Sequence, residues 1–220
     1  MNKVNQSYDG AREDLIVFSG ADFSDKVVVD FGCYRGANAR YIKNRFEGVT
    51  YIGFEGDHNA IEDIDPSVDK VIHADLDEFA SGDLGFLSRV DVVILGDVVE
   101  HLKNPDCFML ELATSLNPDS IVLVSIPNIQ FYETFFLLLL GKFPRRERGI
   151  FDKTHLRWFT RKEFLNTVCD SYDVVKFQRK YRLVEQPSRI NRLLPLFYPF
   201  VLLFSPYFTF QMLFALKKRT

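Results

Sequence analysis

The segment from Val27 to Ala39, VVVDFGCYRGANA, carries the clearest structural signal in this chain. Three valines lead into Asp30, Gly32 and Gly36 then open a turn, and a helix-like segment follows from Ala37. A short apolar run bounded by turn residues is typical of a buried strand. Glycines at its end let the backbone turn sharply and approach a ligand closely. The segment therefore predicts the first strand–turn–helix unit of an open α/β sheet.

The glycine spacing of this turn leaves its function open. Gly32 and Gly36 do not form the dinucleotide-binding fingerprint, because Tyr34 stands where the middle glycine would be. Asp30 also disfavours a pyrophosphate at this place, since an anionic ligand avoids a carboxylate. A nicotinamide-dependent oxidoreductase therefore fits poorly. A ligand-binding turn and a merely structural turn remain equal alternatives on this segment alone.

Composition and charge restrict the class of protein. The chain has 220 residues, of which 47% are hydrophobic and 26% charged, as expected for a globular α/β domain with a substantial core. The net charge of −3 gives no reason to expect nucleic acid binding. Three cysteines without a CxxC pair, and a polar N-terminal stretch without a secretion signal, indicate a cytoplasmic protein.

Predicted strands and helices alternate along the first half of the chain. The expected helices cover residues 7–20, 36–46, 57–63 and 104–116. The expected strands cover residues 26–31, 50–54, 70–74, 91–96 and 120–126. This alternation is typical of right-handed βαβ units and a parallel sheet.

Each of the first four predicted strands ends in or beside a carboxylate, namely Asp30, Glu55, Asp75 and Asp97. A single acidic residue at such a place is usually the N-cap of the next helix. If the strands are parallel and adjacent, however, all four carboxylates line one edge of the sheet. Such a cleft would repel phosphate and attract a ligand with a ribose and a positively charged centre.

In this order the motifs resemble those of the class I S-adenosylmethionine-dependent methyltransferases. The resemblance extends from Tyr8 to about Lys180 and rests on VVVDFGCYRG, YIGFEGD, HADLDE, DVVILGDVVEHLKNP and LNPDSIVLVSIPN. It implies a Rossmann-like, mostly parallel, seven-stranded sheet with helices on both faces and one antiparallel strand from a final hairpin. It also implies S-adenosylmethionine as the cofactor.

The resemblance implies a cofactor site at the strand ends, formed by Asp30, Gly32, Tyr34, Gly36, Glu55, Asp75, Leu76, Gly96 and Asp97. Glu55 would accept hydrogen bonds from both ribose hydroxyls with its two carboxylate oxygens. Asp75 and the backbone of Leu76 would hold the adenine edge. Residues of the first turn would surround the methionine part, with Gly96 and Asp97 beneath it. Tyr34 replaces a more common glycine and would narrow the loop or stack on the ligand.

A second block, GIFDKTHLRWFTRKEF at residues 149–164, resembles bacterial methyltransferase-domain proteins that are associated with glycosyltransferases and surface polysaccharide synthesis. In such proteins the insertion after the fifth strand covers the substrate. The resemblance therefore implies a single domain over residues 1–220, with a helical substrate cap at about 128–158. The implied acceptor is a small molecule, either a saccharide or a lipid-linked compound.

His101 and His155 are the candidate catalytic residues. An imidazole titrates near neutral pH and suits the removal of a proton from an acceptor hydroxyl. Each histidine also has a structural alternative, in which His101 only packs at a helix start and His155 only orders its turn. Asp97, Glu100 and His101 with His155 further resemble the metal-binding set of ubiquinone-pathway and small-RNA 2′-O-methyltransferases. We expect no metal, and a divalent ion is the less favoured alternative.

The C-terminal region is strongly apolar. We expect a strand at 172–181, a hydrophobic or broken helix at about 189–205 and a final strand at 208–217. Together with residues 135–140, this helix would pack within the monomer or form an exposed apolar surface for a membrane, a homodimer or a lipid-linked acceptor. A basic cluster of Arg145, Arg146 and Arg148 lies between them. It is a solvated loop or a contact for a phosphorylated or acidic acceptor.

The sequence thus predicts a cytoplasmic enzyme that transfers a methyl group from S-adenosylmethionine to an oxygen of a sugar or related small molecule. Association of this enzyme with a membrane is an open alternative. The alternative from another class is a binding or scaffold protein that has kept this fold without turnover.

Overall fold

Seven strands form one sheet in the computed structural model, which describes residues 10–78 and 85–219. The strands are β1 Val27–Phe31, β2 Thr50–Glu55, β3 Lys70–His73, β4 Val92–Gly96, β5 Ile121–Pro127, β6 Tyr172–Tyr181 and β7 Thr209–Lys218. Their order across the sheet is β3-β2-β1-β4-β5-β7-β6. The predicted seven-stranded sheet is therefore confirmed, with each strand within one residue of its expected bounds.

The pairing register brings the ends of the first strands to one edge. β1 pairs in parallel with β2 and β4, so that Asp30 lies opposite Gly53 on one side and Ile94 on the other. β2 pairs in parallel with β3, and β4 with β5. β7 runs antiparallel to both of its neighbours, β5 and β6. The predicted antiparallel final strand is confirmed, and the carboxyl ends of β1 to β5 share one edge.

Eight helices connect the strands within the described residues: α1 Glu13–Ser19, α2 Ala37–Lys43, α3 His58–Glu62, α4 Pro105–Ser115, α5 Tyr132–Leu139, α6 Arg161–Val168, α7 Tyr198–Leu203 and α8 Ser205–Phe208. The first helix is shorter than predicted, because it begins only at Glu13. Residues 7–9 of the predicted helix lie outside the described part of the chain. Its end agrees with the prediction, since Gly20 closes it at a left-handed φ of 66°.

Both faces of the central strands are buried under helices. Along β1, Val29 and Phe31 point into a core shared with α4 and α6, while Val28 points into a second core shared with α1 and α2. This alternation follows from the two-residue period of a strand. A parallel sheet that is apolar on both faces has to be covered on both. The predicted placement of helices on both faces is confirmed.

The apolar C-terminal region is a broken series of short turns. A 3₁₀ segment from Arg189 to Phe197 contains Pro195, and α7 and α8 follow it. Pro199 and Pro206 each stand in the first turn of their helix, where a missing backbone N–H costs nothing. The prolines thus explain why the predicted helix is divided. None of the helices in residues 10–78 and 85–219 is long and apolar enough to cross a membrane.

Candidate functional site

A cavity of about 390 Å³ lies beyond the carboxyl ends of β1 and β4. Its inner wall comes from the turn after β1 and from Gly96 and Asp97 at the end of β4. Its outer wall comes from residues 148–155 of the insertion after β5, from residues 182–187 after β6 and from Phe210 and Gln211 of β7. The predicted edge of the sheet therefore supplies half of the cavity, and later segments close the other half.

Carboxylates outnumber cationic groups around this cavity. The carboxylates belong to Asp14, Asp30, Asp97, Glu100, Asp152 and Glu185, and the guanidinium groups belong to Arg12, Arg148 and Arg182. An excess of negative groups favours a ligand that carries positive charge. The cavity is therefore rich in carboxylates, as the acidic residues at the strand ends predicted. Most of these carboxylates, however, come from other places in the chain.

Asp30 lies at the end of β1 and is only 1% exposed. Its Oδ2 accepts hydrogen bonds from the Tyr51 hydroxyl at 2.6 Å and from Asn38 Nδ2 at 3.1 Å. Burial raises the pKa of Asp30 to about 7, although these two hydrogen bonds lower it. Asp30 is not a helix N-cap, because Gly36 occupies that position for α2. The cavity therefore contains a carboxyl group that changes its charge near neutral pH.

The two glycines of the turn between β1 and α2 have different roles. Gly32 lines the cavity at a φ of 70°, and a Cβ there would lie 3.1 Å from a methyl group of Val98. Gly36 has a φ of 81° and faces Val68, whose Cγ2 would lie only 2.6 Å from a Cβ. Gly36 therefore allows the turn to pack and does not line the cavity. Tyr34, which does line it, adopts a left-handed φ of 47° that a glycine would adopt without strain.

Glu55 and Asp75 lie outside the cavity, farther along the same edge towards β3. Glu55 accepts three backbone hydrogen bonds, from Tyr34 N at 2.7 Å and from Gly56 N and Asp57 N at 2.8 Å each. Asp75 Oδ1 accepts one from Asp77 N at 2.9 Å. The structure therefore gathers seven of the predicted site residues around one cavity: Asp30, Gly32, Tyr34, Gly96, Asp97, His101 and His155. The remaining four lie outside its lining: Gly36, Glu55, Asp75 and Leu76.

Asp97 is the centre of a hydrogen-bond network at the cavity wall. It forms an ion pair with Arg12, and its Oδ1 accepts hydrogen bonds from Gln211 Nε2 at 2.6 Å and from the Ser125 hydroxyl at 3.0 Å. Burial would lower the pKa of Arg12, but Asp97 and Asp14 raise it above its ordinary value. Sequence reasoning missed Arg12 entirely, because a single arginine in a polar stretch gives no signal.

His101 and His155 lie side by side, with their ring centres 4.8 Å apart. Nδ1 of His101 is 3.2 Å from the Thr154 carbonyl oxygen, and Nδ1 of His155 is 3.1 Å from that of Ile150. A carbonyl can only accept, so both Nδ1 atoms are assigned the proton. Each Nε2 then carries the lone pair, which is the form that accepts a proton or binds a metal.

Glu100 completes this cluster and was missing from the predicted catalytic residues. It is fully buried, and neither of its carboxylate oxygens has a hydrogen-bond partner among the described residues. Its Oε1 lies 4.0 Å from His155 Nε2. Burial raises the pKa of Glu100 well above its ordinary value, and Asp97 raises it further. Burial lowers the pKa of His155, and the neighbouring His101 adds to this effect.

The same three side chains form a candidate metal site. One ligand atom from each of Glu100, His101 and His155 lies within 4.8 Å of the others. Tetrahedral bonds of about 2.1 Å place two ligand atoms about 3.4 Å apart, so the side chains would have to move together by up to about 1.4 Å. The backbone carbonyls on both Nδ1 atoms are typical of partners that orient metal-binding histidines. The donor types therefore suit a divalent ion, but the side chains would have to rearrange to hold one.

The three arginines of the predicted basic cluster make different contacts. Arg145 donates to the Lys153 carbonyl at 2.8 Å, and Arg146 forms an ion pair with the buried Glu185. Only Arg148 lines the cavity. Glu185 also accepts a hydrogen bond from Ile150 N at 2.8 Å. Arg146 and Glu185 thus hold the insertion after β5 against the segment that follows β6.

Comparisons with known proteins agree with this architecture. A family model described as a methyltransferase domain matches residues 6–171. No curated protein matches the sequence significantly. An S-adenosylmethionine-dependent methyltransferase from Archaeoglobus fulgidus has a TM-score of 0.64 at 17% identity, over 98% of this chain and 95% of that one.

Two further structures share the fold at low identity. An S-adenosylmethionine-dependent methyltransferase from Mesorhizobium loti has a TM-score of 0.64 at 13% identity, over 96% of this chain and all of that one. The small RNA methyltransferase HEN1 has a TM-score of 0.58 at 17% identity, over 98% of this chain and 25% of that one. At these identities the likeness extends to the fold alone.

Proposed function

The chain belongs to the class I S-adenosylmethionine-dependent methyltransferases, and we propose that it methylates a hydroxyl group of a saccharide or another small molecule. The methyl donor is S-adenosylmethionine. The observation that supports the reaction best is the position of the cavity between β1 and β4, where the strand order reverses. Ligands of open α/β sheets bind at such a point, beyond the carboxyl ends of the strands.

The proposed donor site follows the edge of the sheet from the cavity towards β3. The methionine part would lie against Asp30 and the turn around Gly32, where the carboxylate-rich wall suits an ammonium and a sulfonium group. Glu55 would hold the ribose and Asp75 the adenine. A carboxylate has about four lone-pair positions, and three backbone donors already occupy two positions on Oε1 and one on Oε2, so Glu55 has room for one ribose hydroxyl on Oε2.

His101 is the proposed general base. Its Nε2 carries the lone pair, and its side chain is half-buried and lines the cavity. In the proposed step the acceptor oxygen forms a bond to the methyl carbon as the carbon–sulfur bond breaks, and the hydroxyl proton passes to Nε2. His155 is almost fully buried and would orient His101 through the ring contact.

The insertion at 128–158 is the proposed acceptor cap, because Arg148 and Asp152 reach the cavity from it. Arg148 suits an acidic or phosphorylated group on the acceptor. The resemblance of residues 149–164 to surface polysaccharide proteins favours a saccharide. Three free cysteines, Cys33, Cys107 and Cys169, are compatible with a cytoplasmic location.

A metal-assisted version of the reaction is the second candidate. It is favoured by the buried carboxylate of Glu100, whose oxygens have no hydrogen-bond partner within residues 10–78 and 85–219. Glu100, His101 and His155 would hold the ion. When bound, a divalent ion supplies Lewis acidity that lowers the pKa of the acceptor hydroxyl. In that case His101 and His155 position the ion, and neither is free to act as the base.

Calorimetric titration with S-adenosylhomocysteine tests the donor site. We expect micromolar binding by the wild-type protein and roughly tenfold to hundredfold weaker binding by Glu55→Ala, because a charge-assisted hydrogen bond to the ribose is lost. Glu62→Ala removes an exposed carboxylate from α3 and is the matched control. Equal binding by all three proteins would contradict the assignment. Donor binding without turnover on any acceptor would instead support the scaffold alternative.

Calorimetric titration with Co²⁺ tests the metal version independently of activity. The metal version predicts one ion per chain and at least roughly tenfold weaker binding by His101→Ala, since a ligand is lost. His58→Ala, which removes an exposed histidine, is the control and should not change binding. Unchanged Co²⁺ affinity in His101→Ala, or turnover that EDTA leaves intact, would rule out this version.

A further inference from the structure

Two segments expose an unusual amount of apolar side-chain surface. Fifteen of the 21 exposed large hydrophobic residues in the described parts of the chain lie within residues 135–143 and 193–207, which we call the apolar face. Leu139 is 70% exposed, Leu196 76% and Leu203 75%. Single exposed hydrophobic residues are ordinary, but a contiguous group of this size marks an interaction surface.

Side-chain contacts show that the two segments form one surface. The ring of Tyr132, at the start of α5, lies 5.2 Å from that of Phe208, and Phe208 lies 5.6 Å from Phe200 of α7. Asn128, which lies shortly before α5, donates from Nδ2 to the Pro206 carbonyl at 2.9 Å and so links the two segments. The apolar face is therefore a continuous feature of the fold.

The stretches of chain that carry the apolar face, residues 134–146 and 187–210, contain charged residues of one sign only. Neither stretch contains an aspartate or glutamate. They carry four exposed cationic side chains, from Lys142, Arg145, Arg189 and Arg192. The chain as a whole has a net charge of −3, so this is a local concentration of positive charge on an acidic protein. Apolar and aromatic side chains beside basic ones are the combination that binds anionic lipid surfaces.

We propose that the apolar face docks on an anionic membrane surface. Phe200, Leu203 and their neighbours enter the headgroup region, and the four cations contact the lipid phosphates. A second copy of the chain suits this face less well, because a two-fold interface places the same patch against itself and brings these like charges together. This inference is independent of the proposed methyl transfer.

Co-sedimentation with lipid vesicles tests the inference on the full chain. We expect the wild-type protein to bind vesicles of mixed phosphatidylglycerol and phosphatidylcholine and to bind pure phosphatidylcholine much more weakly. Leu139→Glu and Leu203→Glu each should weaken binding at least roughly tenfold, because an apolar side chain that enters the lipid is replaced by a charge. Arg189→Glu and Arg192→Glu should each weaken it about fivefold or more, and this effect should shrink at high salt.

Leu110→Glu is the matched control, since Leu110 is 54% exposed on α4, outside the apolar face. It should bind vesicles like the wild-type protein. Thermal unfolding of each variant shows whether it is folded, so that a loss of binding can be assigned to the surface. Absence of wild-type binding to anionic vesicles, or equal loss in Leu110→Glu, would overturn the inference. A dimer in sedimentation velocity that Leu139→Glu dissociates, without vesicle binding, would assign the face to a second copy instead.

Discussion

At the scale of single residues, the site depends on carboxyl groups that the fold removes from water. Asp30 and Glu100 are both almost completely buried, yet only Asp30 has hydrogen-bond donors on its carboxylate among the described residues. Burial of an ionised group is costly, so burial raises the pKa of both carboxyl groups. These two residues are therefore the most sensitive to pH and to a positively charged ligand.

Asp30→Asn should make the free energy of unfolding less dependent on pH. The pKa of Asp30 is raised from 3.8 to about 7 in the folded protein, so its stabilising contribution is complete below about pH 4 and is lost as the pH rises through 7. Three pKa units correspond to about 4 kcal/mol. The stability of Asp30→Asn relative to wild type should therefore rise by up to about that amount between pH 4 and pH 8.

Urea unfolding at a series of pH values measures this difference. Asp119→Asn is the control, because the Asp119 side chain is 94% exposed and its replacement should leave the profile unchanged. A constant difference between Asp30→Asn and wild type across this range would show that Asp30 is ionised throughout.

At the scale of elements, the turn between β1 and α2 combines backbone strain with close packing. Tyr34 and Gly36 both have left-handed φ values, and Gly32 does as well. Tyr34 N is held by Glu55 at 2.7 Å, so the neighbouring strand β2 helps to maintain the turn. The turn is thus specified by its glycines and by the strand beside it.

Gly36→Ala should destabilise the protein by about 2 to 3 kcal/mol. A left-handed φ costs a residue with a Cβ about 1 to 2 kcal/mol, and the contact with Val68 at 2.6 Å adds to it. Gly85→Ala is the control, because nothing lies within 4 Å of a Cβ there. Chemical denaturation measures both variants. Adding Val68→Ala should relieve only the steric part of the Gly36→Ala effect, and complete recovery would show that the φ value costs nothing.

At the scale of the whole molecule, the cavity is made by residues that are far apart in the chain. Arg12 precedes the sheet, Asp97 ends β4 and Gln211 belongs to the last strand, yet the three side chains meet in one network. Arg146 and Glu185 join the insertion after β5 to the segment after β6. Residues 186 and 187 line the cavity, and the 3₁₀ segment that leads into the apolar face begins two residues later, at Arg189.

The sequence by itself determined the sheet and the edge at which the cavity opens. Strand positions follow from short apolar runs, and their parallel order follows from the alternation with helices, because both signals depend only on local spacing and burial. Placing Asp30, Glu55, Asp75 and Asp97 at one edge required nothing more than this order. The glycines of the first turn were recognisable for the same reason.

Only the tertiary structure decided which side chains meet at the site and which of their charges are paired. Asp97 was expected to contact the cofactor, but the side chain that neutralises it, Arg12, lies 85 positions away in the sequence. Glu100 was grouped with His101 and His155 through a resemblance alone, and the structure adds that the insertion brings His155 Nε2 to 4.0 Å from Glu100 Oε1. Burial, pKa shifts and ion pairs depend on what surrounds a side chain in space, and local sequence patterns do not contain that information.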